Sequence, residues 1–240
     1  MKSKQDQLKS RGYLAEGAES GYHDKAFDYK IELLQSEIPT ERTLGARLLA
    51  DSKNAKTIDY LINALCIEKK LYPKIEICNS LVSCGQQSIK PLISLLGKIG
   101  NNQHKKLPEK EFKKDSYPLP RDIAGRTLVR FGQAALNKLV KVLDGNNQNQ
   151  VSEAIDALGF ICFYNSSPKI YKVLRNSYSK NSQNDLIKWK IIRAMSGFPE
   201  SKTFLQEQKQ QIQNNRIRKE IERSLLLIKK HGKRCETGHP

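Results

Sequence analysis

His231, Cys235 and His239 recur at i, i+4 and i+8, a spacing that would set three metal ligands on one face of a helix. Gly232, Gly238 and Pro240 oppose a helix in that stretch, and structural zinc takes four ligands, so no metal site is expected. The other histidines, His23 and His104, fall in segments expected to be loops or tails. The chain has no Gly-x-Ser-x-Gly nucleophile turn, no His-Glu-x-x-His and no phosphate-cradling glycine loop ending in Lys-Ser or Lys-Thr. These absences leave little for a catalytic centre to use, and the expectation is a protein that is not an enzyme and takes no cofactor.

Cations are what the sequence has in surplus. Its 240 residues carry 42 Lys and Arg against 25 Asp and Glu, a formal charge of +17. Such a surplus attracts polyanions and acidic partners without dictating a fold. It is concentrated in two places. Lys98, Lys105, Lys106, Lys110, Lys113 and Lys114 lie in one polar stretch, interrupted by Glu109 and Glu111, with Phe112 and Tyr117 available to stack on bases. Arg216, Arg218, Lys219, Arg223, Lys229, Lys230, Lys233 and Arg234 form the second cluster. Both also read as solvated faces. The candidate partner or polyanion contacts are Lys105, Lys106, Lys110, Lys113, Lys114, Arg216, Arg218, Lys219 and Arg223, joined by Trp189, the only tryptophan. Tryptophan is enriched at interface hot spots, although packing against a neighbouring helix is the favoured reading of Trp189. Its column also holds Asp122 and Ser152, which suggests an exposed or intermediate position.

The elements that would position these residues emerge when the chain is aligned with itself. Lys74 to Gln86 aligns without gaps on Arg121 to Gln133; both contain Leu-Val-x-x-Gly-Gln, and both are followed by a second apolar run. With Leu81 and Leu128 as anchors, further copies fall at Leu49, Leu158, Met195 and Leu225. Four residues before each anchor stand Gly45, Ile77, Ala124, Ala154, Ile191 and Ile221. Three residues after stand Ser52, Cys84, Phe131, Ile161, Phe198 and Ile228. These offsets trace one helical face. Immediately before the anchor the side chains are mostly small (Leu48, Ser80, Thr127, Ala157, Ala194 and Ser224), which lets an adjacent helix approach closely.

In this pattern the units resemble HEAT repeats, particularly the shorter bacterial kind also called phycobilisome-lyase-like repeats. The resemblance covers residues 40–230. It implies an all-α fold, an α-solenoid of about six stacked helix hairpins winding as a HEAT-like superhelix. Family members carry a basic residue near the start of the first helix. The matching positions here are Arg42, Lys74, Arg121, Lys188 and Arg218, while Val151 departs from the pattern. A ladder of this kind either binds a polyanion or packs its stems between repeats and pairs locally; the second reading is favoured, because each position lies near the first turn and can snorkel.

Helix pairs are expected at 40–50 with 55–68, 73–84 with 87–96, 121–131 with 134–143, 150–163 with 168–178 and 185–196 with 202–213, then a lone helix at 216–230. Residues 1–39 read as a tail plus a capping helix near 25–36, residues 98–120 as an exposed basic loop inserted in the repeat domain 40–230, and residues 231–240 as a disordered tail. Cys66, Cys78, Cys84, Cys162 and Cys235 form no Cys-x-x-Cys pair, and four of them occupy otherwise apolar positions, as reduced cytosolic thiols do. No apolar run approaches the roughly 20 residues a spanning helix needs, and the N-terminus lacks a secretory core, so a cytoplasmic protein without membrane insertion is expected. The function this implies is a non-catalytic scaffold for protein–protein interaction. The alternative is DNA or RNA binding on a basic solenoid surface, in the manner of the HEAT-like alkylpurine DNA glycosylases.

Overall fold

The computed structural model describes residues 3–52 and 54–236, with side chains as far as residue 230. Thirteen helices and no strand occur among the described residues, so the all-α expectation holds. The chain divides into two compact units, residues 1–92 and 93–240.

In the first unit, α1 (Lys4–Ser10), α2 (Phe27–Gln35), α3 (Pro39–Leu49), α4 (Ala55–Ile67) and α5 (Leu71–Ser83) precede a 3-10 turn that leads into α6 (Ile89–Ser94) at the unit boundary. Local chemistry sets several of these boundaries. Pro39 opens α3, where its missing N–H is no loss. Asn54 caps α4 by accepting from the Thr57 amide. Gly85 turns the chain out of α5 at φ +86°, a left-handed conformation that glycine adopts without penalty. Packing then follows the repeat, α2 on α3 and α3 on α5. Gly45 is where α2 crosses α3: a Cβ there would lie 2.4 Å from the Leu34 amide nitrogen.

The stretch expected to be an N-terminal tail is built into this unit. Thr43 donates its hydroxyl to the Gly12 carbonyl at 2.6 Å, and Arg47 reaches the Ala15 carbonyl, Glu19 at 2.7 Å and Glu76 at 3.3 Å. Tyr13 meets Tyr72 edge to face. The missing sequence signal is physical: the segment is held by hydrogen bonds to α3 and not by an apolar stripe of its own.

The second unit continues with α7 (Ile123–Leu128), α8 (Gln133–Val142), α9 (Gln148–Tyr164), α10 (Pro168–Lys180), α11 (Asp185–Ala194), α12 (Lys202–Gln211) and α13 (Asn215–Glu236). Asp122, Asn147 and Asn184 cap α7, α9 and α11, and Gly132 repeats the left-handed turn of Gly85 at φ +54°. The first helices of successive hairpins stack, α9 on α11 and α11 on α13.

The anchors Leu49, Leu81, Leu128, Leu158 and Met195 are fully buried, whereas Leu225 is only half-buried and Leu227 takes the interior position beside it. The small column just before the anchor is buried in all six repeats. Its hydroxyls also bond between neighbouring first helices: Ser80 donates to Ala46 at 2.7 Å and Ser224 to Ile192 at 3.1 Å.

Four of the five cations of the basic ladder are paired locally. Arg42 binds Glu68 through two N–H groups, Lys188 lies 3.6 Å from Asp185, Arg218 donates to the Ile212 carbonyl and Arg121 to the Asn102 carbonyl. Helix α13 runs on to Glu236, through residues expected to be a tail, while residues 237–240 lie outside the described part. His231, Cys235 and His239, whose spacing was weighed as a metal triad and set aside, lie outside the described side chains.

Candidate functional site

Three successive repeats of the second unit carry charge at the same two columns, five and two residues before the anchor: Glu153 and Asp156 on α9, Lys190 and Arg193 on α11, Glu220 and Arg223 on α13. Stacking the first helices brings these columns together inside the protein. Lys190 is 0% exposed; its Nζ lies 2.7 Å from Glu153 and 2.8 Å from Asp156, and also donates to the Ser152 carbonyl at 3.3 Å. Arg193 holds the other oxygen of Asp156 through Nη2 at 3.1 Å. Glu220 pairs with Arg223 at 2.9 Å.

Burial pushes the Glu153 carboxyl up to about 7 against the pull of Lys190. Burial acts on Asp156 in the same direction, but Lys190 and Arg193 together outweigh it and hold that carboxyl below its ordinary value. Desolved charges persist only when partnered, so these residues act as a fixed ionic spine.

Around this spine is a coil segment, 98–120. Its start is tied by Asp122, which is buried and accepts from the Gly97 amide at 3.1 Å and from Gln103 at 2.8 Å. Its middle is tied by α13: Arg216 donates to the Leu107 carbonyl, Lys219 pairs with Glu111 at 2.6 Å, Arg223 donates to the Ser116 carbonyl at 2.8 Å, and Lys230 pairs with Asp115. Its end plugs Tyr117 among Phe160, Phe163 and Leu227, against Gly159, where a Cβ would lie 2.1 Å from the phenol oxygen. The segment expected to be an exposed loop is therefore a strap, with exposed lysines on top and a buried tyrosine beneath.

Two cavities flank the strap. One, of about 600 Å³, lies toward α13; the other, of about 730 Å³, lies toward α9 and α11. Pro108, Lys110, Phe112, Lys114 and Trp189 line both. The structure thus gathers Lys110, Lys113, Lys114, Arg216, Lys219, Arg223 and Trp189 around the first cavity. It does not bring Lys105, Lys106 or Arg218 to either cavity: Lys106 pairs with Glu109, and Lys105 lines a separate hollow with Gln103 and Asn149. Among the described side chains, Lys110, Lys113 and Lys114 are exposed and make no ion pair, whereas Lys219 and Arg223 are engaged in holding the strap.

Trp189 corrects the sequence expectation, as do Asp122 and Ser152 in its column: all three are buried. The strap and the spine explain this for Trp189. The Arg193 guanidinium stacks on the indole at 4.0 Å, and His104, from the strap, meets it edge-on at 5.5 Å. His104 is held to about 4 by burial and by the cations Arg193, Lys190 and Arg121 around it, so its ring is neutral.

Three residues that border the larger cavity each hold one polar atom that is itself buried and has no hydrogen-bond partner: His104 Nδ1, Tyr117 Oη and Arg193 Nε. Sequence reasoning missed Glu153, Asp156, Lys190, Arg193 and His104. The signal that would have found the first four is the charge recurring at the same two columns of adjacent repeats.

Among the described residues no group of three or more His, Cys, Asp or Glu is arranged to hold a metal ion, and no helix is long and apolar enough to cross a membrane. No family model matches the chain, and no curated protein matches it. Similar solved structures include an engineered protein from a structural-genomics programme, 17% identical with a TM-score of 0.37; the match covers 93% of this chain and 63% of the engineered protein's length. A designed armadillo repeat protein is 14% identical, with a TM-score of 0.38 over 85% of this chain and 100% of the other.

Proposed function

We propose that the chain is a non-catalytic helical-repeat scaffold of the HEAT kind that binds another protein through the strap face of its second unit. The supporting observation is the combination on that face of the unpaired Lys110, Lys113 and Lys114 with the exposed apolar side chains Leu119, Tyr164 and Leu226 beside the two cavities. Exposed apolar groups interleaved with unneutralised cations suit a partner segment that carries both aliphatic residues and carboxylates. Cys66 and Cys162 are free thiols, and the proposed setting is the reducing cytosol.

The test is affinity capture from nuclease-treated native lysate with the wild-type chain and with the triple variant Lys110→Glu, Lys113→Glu, Lys114→Glu. A protein retained by the wild type and lost from the triple variant, at equal melting temperature, supports the reading. Retention by both removes it.

The alternative is polyanion binding, supported by the net charge of +17. Against it, Lys219, Arg223 and Lys230 are already used in holding the strap. Titration of mixed-sequence RNA against salt separates the two, since each phosphate contact adds close to one to the slope of log affinity on log salt; a slope near zero eliminates the polyanion reading.

A further inference from the structure

At one end of the first unit, where α3 and α5 begin and α4 stops, apolar side chains and cations share a surface. Arg42 assembles it. Its guanidinium donates to the carbonyls of Ser36 and Glu37 at 2.9 Å and to both oxygens of Glu68 at 2.7 and 3.1 Å, so the chain entering α3 lies against the turn between α4 and α5. Gly12 brings the N-terminal segment to the same end: a Cβ there would meet Pro73 of α5 at 2.5 Å and the Pro39 carbonyl of α3 at 2.9 Å. Ile75 follows Leu71 by one turn on the same face of α5. Tyr13, Ile38, Ile67, Leu71 and Ile75, gathered in this way, are five of the nine large apolar side chains exposed among the described residues.

The turn itself reads Ile67-Glu68-Lys69-Lys70-Leu71. Glu68 folds inward, its side chain 2% exposed, and accepts from the amides of Lys69 and Lys70 as well as from Arg42. The turn's one carboxylate is thereby taken, and what faces outward is Ile67, 78% exposed, with Lys69, Lys70 and Leu71. Lys74 stands on the next turn of α5, and the Arg11 guanidinium lies 5.8 Å from the centre of the Tyr72 ring. Among the described side chains, none of these four cations forms an ion pair. The carboxylates on this side are Glu37 and Glu41, the second already accepting from the Ser36 hydroxyl, so the excess is positive.

Shape and charge together select the occupant. Ile67 and Leu71 stand as separate prongs with two lysines between them. A folded protein would need a socket for each prong, whereas the boundary between headgroups and acyl chains admits projecting apolar groups without one, and lysine stems let the ammonium groups stay at headgroup level. Tyr13 and Tyr72, edge to face beside Leu71, have the apolar ring and polar tip that settle at that depth. The positive excess favours lipid of negative charge.

We infer that this end of the first unit docks on an anionic phospholipid surface, with Ile67 and Leu71 entering the headgroup boundary and Lys69, Lys70 and Lys74 meeting the acidic headgroups. The contact is peripheral, with no helix crossing the bilayer. It is independent of the strap face, which belongs to the other unit.

Flotation of the full chain with phosphatidylcholine vesicles, with and without about a quarter phosphatidylserine, tests this docking. The expected result is binding to the anionic vesicles stronger by about tenfold or more than to phosphatidylcholine alone. Ile67→Ser with Leu71→Ser, and Lys69→Glu with Lys70→Glu, each weaken it by about tenfold at unchanged melting temperature, since all four side chains face solvent. Lys110→Glu with Lys113→Glu and Lys114→Glu removes more positive charge from the chain, yet loses less affinity than either pair.

Absence of flotation with the anionic vesicles overturns the proposal. So does binding unchanged by Ile67→Ser with Leu71→Ser, the behaviour of a basic chain held by charge alone, or a greater loss in the strap variant than in the Lys69 and Lys70 pair. Sedimentation velocity without lipid covers the other occupant: a self-associated species that Ile67→Ser with Leu71→Ser disperses assigns this end to a second copy and overturns the proposal as well. Failure here leaves the protein-scaffold reading standing, because that reading is carried by the strap and tested by capture.

Discussion

Lys190 is the side chain whose removal should be felt most. Replacing it with Met leaves Glu153 and Asp156 in the interior without their shared cation, and stability measured by urea unfolding is expected to fall by about 3–5 kcal/mol. Lys219→Ala removes a solvent-exposed pair with Glu111 and should leave stability close to that of the wild type by the same measurement. His104 supplies a pH prediction. Its folded value near 4 lies below the ordinary 6.5, so between those values the unfolded chain binds the extra proton and stability declines as pH falls through the window. Glu153, raised to about 7, has the opposite slope between 4.5 and 7 and masks the effect in the wild type. Comparison with His104→Gln isolates the histidine: the variant should gain stability relative to wild type as the buffer goes from pH 7.5 to 5, and a constant difference would refute the assignment. Lys190, Glu153, Asp156 and His104 were not read as a site from the sequence. A Lys or Glu on a helix is ordinarily solvated, and only the stacking of three first helices turns the same columns into an interior.

At the scale of the helix, the sequence was far more informative. Five of the six anchors are fully buried, and the boundaries of the paired helices fall within a few residues of those read from apolar periodicity, while α13 runs past the expected end at residue 230. The reason is that period, cap and turn are local properties, each encoded within a few residues. Leu225 breaks the pattern, because α13 ends the stack and buries Leu227 toward Tyr117 and Phe163. The small column makes its own predictions. Ser224→Ala, which loses the bond to the Ile192 carbonyl, should cost about 0.5–1.5 kcal/mol in thermal or urea unfolding. Gly159→Ala is a different kind of change. Its new methyl would occupy the place of the Tyr117 hydroxyl, and the expected outcome is release of the tyrosine, seen as faster tryptic cleavage at Lys110, Lys113 and Lys114. Unchanged cleavage would mean that Tyr117 does not fasten the strap. That tyrosine was invisible beforehand because the surrounding segment is polar and rich in proline, the composition of a solvated loop, and one buried ring does not change such a profile.

Across the second unit, the strap joins residues 107–116 to residues 216–230 by hydrogen bonds that span more than a hundred positions of sequence. Lys219→Glu should loosen this connection and speed proteolysis of the strap, and the exchanged pair Glu111→Lys with Lys219→Glu should restore resistance if the two side chains act on each other directly. Repeat stacks ordinarily tolerate gain or loss of a copy, since each hairpin depends on its neighbours alone. A hasp that must meet its staple removes that freedom. One additional hairpin between α9 and α13 would carry the final helix about 8–10 Å farther away, beyond the reach of Lys219, Arg223 and Lys230. The copy number of this unit is thus counted by the molecule itself, and a lineage that duplicated or deleted a repeat would have to rebuild residues 98–120 in the same step.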